Sequence, residues 1–86
     1  MMNIDNEYNL RAICEKRNIR RFYKIYTCRN LLGEYEAITS FGRIGTKGRI
    51  KIFRFNDRSE LNAHVSLALK KRLNSKNRIG INYQIN

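Results

Sequence analysis

The segment of this chain best equipped for chemistry is Ser40-Phe41-Gly42-Arg43-Ile44-Gly45-Thr46-Lys47-Gly48-Arg49. Three of the chain's five glycines fall here, at every third position, with Arg43, Lys47 and Arg49 among and just after them. Glycine allows positive φ and a close approach of backbone to another surface. Arginine and lysine supply the charge that phosphate oxygens attract. Phe41 adds a flat face that can lie on a sugar or a base. The chemistry implied is non-covalent capture of a polyanion, most naturally nucleic acid. Bond-breaking chemistry finds no support elsewhere. His64 is the only histidine, and no nucleophile–base set can be assembled around it. The seven carboxylates are scattered, without a pair placed for acid–base work. Two cysteines and one histidine lack metal-ligand spacing. A phosphate-binding loop would need Gly-Lys-Ser/Thr running into a helix, and Gly45-Thr46-Lys47-Gly48 runs into a strand instead. The two Gly-x-x-Gly matches are flanked by strand pattern, whereas the RNA-binding KH loop sits between helices. No enzyme activity, cofactor or metal is expected.

Charge supports the same reading. Eighteen Lys and Arg face seven Asp and Glu, giving a net charge of +11 and a pI near 10.3. Residues 1–36 carry a net of +2 and residues 37–86 a net of +9, so the positive field gathers around and after the glycine segment. That is the electrostatic footprint of a nucleic-acid binder. The 86 residues are 42% hydrophobic, enough for one small folded domain. No apolar run approaches the roughly 20 residues that span a bilayer, and no strongly cationic amphipathic helix suggests a membrane surface. The polar, acidic start Met1–Glu7 lacks the pattern of a signal peptide. A cytoplasmic location, in association with the nucleoid, is expected, with Cys14 and Cys28 as thiols.

The elements that must position these residues are legible from periodicity. Tyr8, Leu10, Ala12 and Cys14 alternate with polar neighbours as a first strand, and Glu15–Asn18 reads as a turn. Arg21–Cys28 is rich in aromatic and β-branched residues and forms a second strand, followed by a connection with Gly33 at a left-handed position. Glu34–Arg43 alternates as a third strand. Gly45–Gly48 is a hairpin loop, and Arg49–Phe55 a fourth strand. Apolar residues on both faces of this fourth strand predict a central or partly covered place in the sheet. Asp57-Arg58-Ser59-Glu60 then has the form of a capping box. Leu61, Val65, Ala68, Leu69 and Leu73 recur at helical spacing through about Asn74, with Lys70, Lys71 and Arg72 suited to the helix C-terminus. Gly80–Ile85 alternates as a short closing strand. The fold class is α+β: a mainly antiparallel sheet with one amphipathic helix packed on it. Residues 1–7 are expected as a tail and 8–86 as a single domain.

With these residues in view, the chain resembles the WGR domain family, which takes its name from Trp-Gly-Arg. The family occurs in DNA-break-activated poly(ADP-ribose) polymerases and in free-standing bacterial proteins. Its core run is roughly Trp-Gly-Arg-Val-Gly, then a short stretch with Gly and Lys. Phe41-Gly42-Arg43-Ile44-Gly45-Thr46-Lys47-Gly48 is similar to it. Upstream, Arg21-Phe22-Tyr23-Lys24-Ile25 resembles the family's basic–aromatic strand, and downstream Gly80-Ile81-Asn82-Tyr83 resembles its late glycine–aromatic element. The likeness covers about residues 8–85. It implies a sheet-plus-helix domain that binds DNA, often at a strand break. By position, it assigns Phe41 to a sugar at the DNA terminus and Arg43 to the DNA backbone. It places a further polar contact near Arg20, where family members often have Asn, and a late aromatic contact at Tyr83. Phe41 replaces the signature Trp: it keeps a stacking face but is smaller and has no indole N–H.

The resulting expectation is a repair-like, non-catalytic module on the backbone of duplex DNA, at ends or nicks, with low sequence specificity. Its site comprises Phe41, Gly42, Arg43, Lys47, Arg49, Arg20 and Tyr83. Two other readings fit the same residues. One is a protein-interaction module whose aromatic and basic surface meets an acidic partner encoded elsewhere. The other is a single-stranded RNA binder that uses strand aromatics as stacking platforms.

Overall fold

The computed structural model describes residues 3–85. Five strands form one antiparallel sheet: β1 (Asn3–Cys14), β2 (Ile19–Arg29), β3 (Tyr35–Arg43), β4 (Arg49–Phe55) and β5 (Gln84–Ile85). Their spatial order is β4-β3-β2-β1-β5. The helix α1 (Arg58–Leu73) follows β4 and packs on one face, and a single helical turn, α2 (Lys76–Ile79), follows it. The α+β architecture is therefore the one the periodicities predict.

Register decides which side chains meet the helix. Leu10, Tyr23, Phe41 and Arg49 are directly opposite one another across four strands, and Tyr8, Ile25, Thr39 and Lys51 form the next row. Alternation puts Ala12, Ala37, Phe53 and Phe55 on the same side. Leu61 and Val65 of α1 close over these residues, so Leu10, Ala12, Tyr23, Ile25, Ala37, Leu61, Val65 and Tyr83 form the buried core. Asp57 caps α1 by accepting the Glu60 amide at 2.9 Å, which satisfies one orphan donor of the first turn.

Several expectations are corrected. Strand β1 begins at Asn3, so Asn3–Glu7, expected as a tail, pair with Arg29–Tyr26. Their side chains are mostly polar, and the backbone ladder, which leaves no mark in the side-chain pattern, holds them. Met1 and Met2 lie outside the described residues. Strand β4 is the sheet edge, and Ile50 and Ile52 are 65% and 50% exposed. Its second apolar face is uncovered. Finally, Gly80–Tyr83 is not strand. Ser75 Oγ donates to the Ile81 carbonyl at 2.8 Å, the Lys76 amide donates to Asn82 Oδ1 at 2.8 Å, and the Tyr83 amide donates to the Arg72 carbonyl at 3.0 Å. The segment wraps the end of α1, and only Gln84 and Ile85 reach β1.

Candidate nucleic-acid interface

The glycine loop turns tightly because two of its glycines touch. A Cβ on Gly42 would stand 2.7 Å from the Gly48 Cα, and one on Gly48 would overlap the Phe41 carbonyl oxygen. Gly48 also has φ +67, a conformation that L side chains rarely adopt. Thr46 Oγ1 donates to the Arg43 carbonyl at 2.7 Å, and the Ile44 amide donates to the Arg20 carbonyl at 2.9 Å. The second bond ties the loop to the start of β2.

Beside the loop, three other parts of the chain converge: the 3-10 turn Glu15–Arg17 between β1 and β2, the end of α1, and α2. Together with β2 and β3 they enclose a groove of about 810 Å³. Its lining includes Arg17, Arg20, Arg21, Arg43, Arg72 and Arg78, with Asn18, Phe41, Gly42 and Tyr83, and no carboxylate. Arg21 and Arg43 are directly opposite on adjacent strands. Like charges in that relation repel, so the sheet itself gains nothing from this pairing. An anion between them relieves it.

Three of the arginines are held in place. Arg43 donates to Asn18 Oδ1 at 3.0 Å and to the Asn18 carbonyl at 3.4 Å. Asn18 adopts φ 54, the one positive φ outside glycine among the described residues, a conformation asparagine tolerates. The guanidinium of Arg72 stands 4.2 Å from the Tyr23 ring centroid and 6.0 Å from that of Tyr83. Arg17 reaches the Gly80 carbonyl at 3.5 Å, and a Cβ on Gly80 would collide with its guanidinium. Fixed, planar, permanently charged donors suit phosphate oxygens better than mobile lysines do.

Of the residues singled out from sequence, the groove gathers Phe41, Gly42, Arg43, Arg20 and Tyr83. Phe41 is half-buried, with its ring 6.3 Å from that of Tyr23 and Lys51 Nζ 5.8 Å away. Tyr83 is only 6% exposed, so it serves as the seat on which Arg72 rests. Lys47 and Arg49 do not line the groove; Lys47 is exposed in the loop and Arg49 lies on edge strand β4. Arg54, another cation near the loop in sequence, is bound at 2.7 Å to buried Glu36. Sequence reasoning missed Arg17 and Arg78 altogether. It read Arg72 as a partner of the helix dipole, and the cation run at the end of α1 was the available signal.

The cysteines and the histidine have structural settings. Cys14 and Cys28 remain thiols at opposite ends of the sheet. Burial, reinforced by Glu36, pushes the Cys28 thiol up and keeps it protonated. His64 packs 4.4 Å from Phe53 and 5.2 Å from Phe55, and burial lowers its pKa. Among the described residues no group of three or more His, Cys, Asp or Glu could hold a metal ion, and no helix is long and apolar enough to cross a membrane.

The model of the WGR domain family matches residues 7–80 of the 86. The chain belongs to the WGR domain family. WGR domains are non-catalytic and generally bind nucleic acid, which agrees with a groove built from arginine and lacking any acid–base pair. This WGR domain has Phe41 where the family signature has Trp. The curated proteins contain no significant match to the chain.

Proposed function

We propose that this WGR domain binds duplex DNA through its phosphates, at strand ends or nicks and with low sequence specificity. The observation that carries the reading is the groove of six arginines without a carboxylate. Arg43, Arg21 and Arg20 hold the backbone, and Phe41 lies against a sugar where the strand is interrupted. The face of a sugar that points along the strand is covered by the adjoining nucleotide unless the strand is interrupted, which favours ends over intact duplex. Contacts to phosphate and sugar fix position without reading bases. The domain works in the cytoplasm, at the nucleoid.

Fluorescence anisotropy against a nicked or blunt 5′-phosphorylated duplex, with uncut circular duplex as competitor, tests this directly. Salt-sensitive binding competed best by ended DNA is expected. Arg43→Ala weakens it about tenfold at low salt, as expected for loss of a charged contact, and leaves thermal melting unchanged. Unaltered affinity in that variant would remove Arg43 from the interface. A protein partner is the second reading. The observation favouring it is the β2–β3 hairpin tip, where Leu31 and Leu32 are 81% and 86% exposed. Association that survives high salt is its signature.

A further inference from the structure

The glycine loop has two sides. One borders the arginine groove. The other borders a separate groove of about 470 Å³ whose lining includes Arg11, Phe22, Lys24, Ile44 and Gly45. This second groove opens onto the face of the sheet opposite α1. Phe22, Lys24 and Tyr26 are successive residues of β2 on that face, each half-buried. Lys24 Nζ lies 5.9 Å from the Phe22 ring centroid. Arg11 is directly opposite Phe22 on β1, and Tyr26 is opposite Ile38, which is opposite exposed Ile52 on β4.

We propose that this open face holds an unpaired nucleic-acid strand, which leaves the duplex end in the arginine groove, rounds the glycine loop and lies along Phe22, Lys24 and Tyr26. The inference rests on the duplex-binding reading for the strand's origin. Two aromatics four residues apart on a strand are about 13 Å apart, whereas stacked bases repeat at about 3.4 Å. The rings therefore cannot receive neighbouring bases of a stack; they receive bases splayed from an extended strand, with a phosphate over Lys24. Duplex bases have both faces covered, so the face selects unpaired strand. Every base offers a π-face, so it selects no sequence. Arg20 lines the arginine groove and by alternation belongs to the open face, so positive charge continues from one to the other. Glu7, directly opposite Tyr26 on β1, is the one carboxylate lining the second groove; it accepts the Asn9 side-chain amide at 3.1 Å and ends the positive track at the Tyr26 row.

The test is anisotropy with one labelled duplex in three forms: blunt, with a 3′ tail and with a 5′ tail of about ten nucleotides, alongside a single-stranded oligonucleotide. A tail of at least one polarity is expected to tighten binding about tenfold over blunt duplex, the scale of a stacked base. Phe22→Leu and Tyr26→Leu each remove most of that gain and leave blunt affinity unchanged. Lys24→Gln, which removes the charge and keeps a polar side chain of nearly the same length, lowers the gain in the same way and keeps the readout interpretable if a leucine variant melts early. Arg43→Ala weakens all duplex forms by one factor and preserves the gain. Single-strand binding that depends on Phe22 without any blunt-duplex binding would sustain this face while overturning the duplex reading. Blunt-duplex binding with no gain from either tail, or a gain untouched in all three face variants, overturns the proposal and leaves the isoleucine-lined face to a protein partner.

Discussion

The two ends of the sheet use the same residue type in opposite ways. At the end formed by the β2–β3 hairpin and the start of α1, arginines meet carboxylates. Arg54 Nε binds Glu36 at 2.7 Å, Arg58 stands 3.8 Å from Asp5, and Asp57 caps the helix. At the other end, Arg17, Arg20, Arg21, Arg43, Arg72 and Arg78 share a groove without a carboxylate. Helix α1 reinforces the division, since its acid-capped N-terminus is at the first end and its Lys70-Lys71-Arg72 terminus at the second. An arginine that stabilises a fold is recognised by its acid. On the proposed reading, an arginine kept for an external anion has no acid beside it and has neighbours that orient it, as Asn18 orients Arg43 and Tyr23 orients Arg72.

Salt separates the two ends most sharply. If all six groove arginines displace counterions, affinity for duplex DNA falls about 10³-fold between 50 and 200 mM salt. Arg21→Ala or Arg78→Ala lowers the slope of log affinity against log salt by about one each, while Arg58→Ala, at the neutralised end, leaves it unchanged. Equal slopes for all three variants would dissolve the distinction. Glycines at the two ends give the next largest contrast. Gly48→Ala places a methyl on the Phe41 carbonyl and beside Phe22, and strain of this type costs about 3 kcal/mol. Gly33, in the hairpin at the acidic end, has φ +85 but only an arginine tip at 3.9 Å from a new Cβ. Gly33→Ala costs about 1 kcal/mol of left-handed strain. Urea denaturation of both variants checks the order.

Much of this was legible in the chain. The alternation in 21–28, 34–43 and 49–55 and the capped period from Asp57 gave the sheet and helix within a few residues, because each element has one face against the core. The run Phe41-Gly42-Arg43, which lines the candidate groove, was visible because glycine spacing is a local signal. The arginine groove was not, because Arg17, Arg72 and Arg78 reach it from three segments that only the sheet order brings together. The edge position of β4 was hidden for a related reason. Ile50 and Ile52 have the pattern of burial, and nothing local says that the face they share with Phe22 and Tyr26 lacks a covering helix. Lys47 and Arg49 show the converse: nearness in sequence to Gly48 did not carry them into the groove.

A smaller effect distinguishes the ends by stability alone. The hydrogen bond from Arg54, with help from Asn30, holds the Glu36 carboxyl below its ordinary value of 4.5. Glu36→Gln keeps the shape, weakens the bond with partly exposed Arg54 and costs about 1 kcal/mol, with DNA affinity unchanged. Arg43→Ala is expected to do the opposite, and a melting curve and a titration for each variant establish the pair of outcomes.

The smallest predicted effect concerns His64, half-buried on α1 between the two ends. Burial against Phe53 and Phe55 depresses its pKa below the ordinary 6.5. Above pH 6.5 the imidazole is neutral in both folded and unfolded chains, and its stacking contributes fully. As pH falls below 6.5 the unfolded chain takes up a proton that the folded one resists, so stability declines until the folded pKa is passed. Glu36 acts in the same direction but in a lower window, beginning below 4.5 as the unfolded carboxylate gains its proton first. The melting temperature of the wild-type chain at fixed ionic strength should therefore begin to fall near pH 6.5. In His64→Leu, which keeps an apolar side chain between the phenylalanines, that upper part of the decline disappears and the fall starts only in the carboxylate range. An identical pH profile in the two proteins would mean that His64 is as easily protonated folded as unfolded, and that the aromatic cleft admits water.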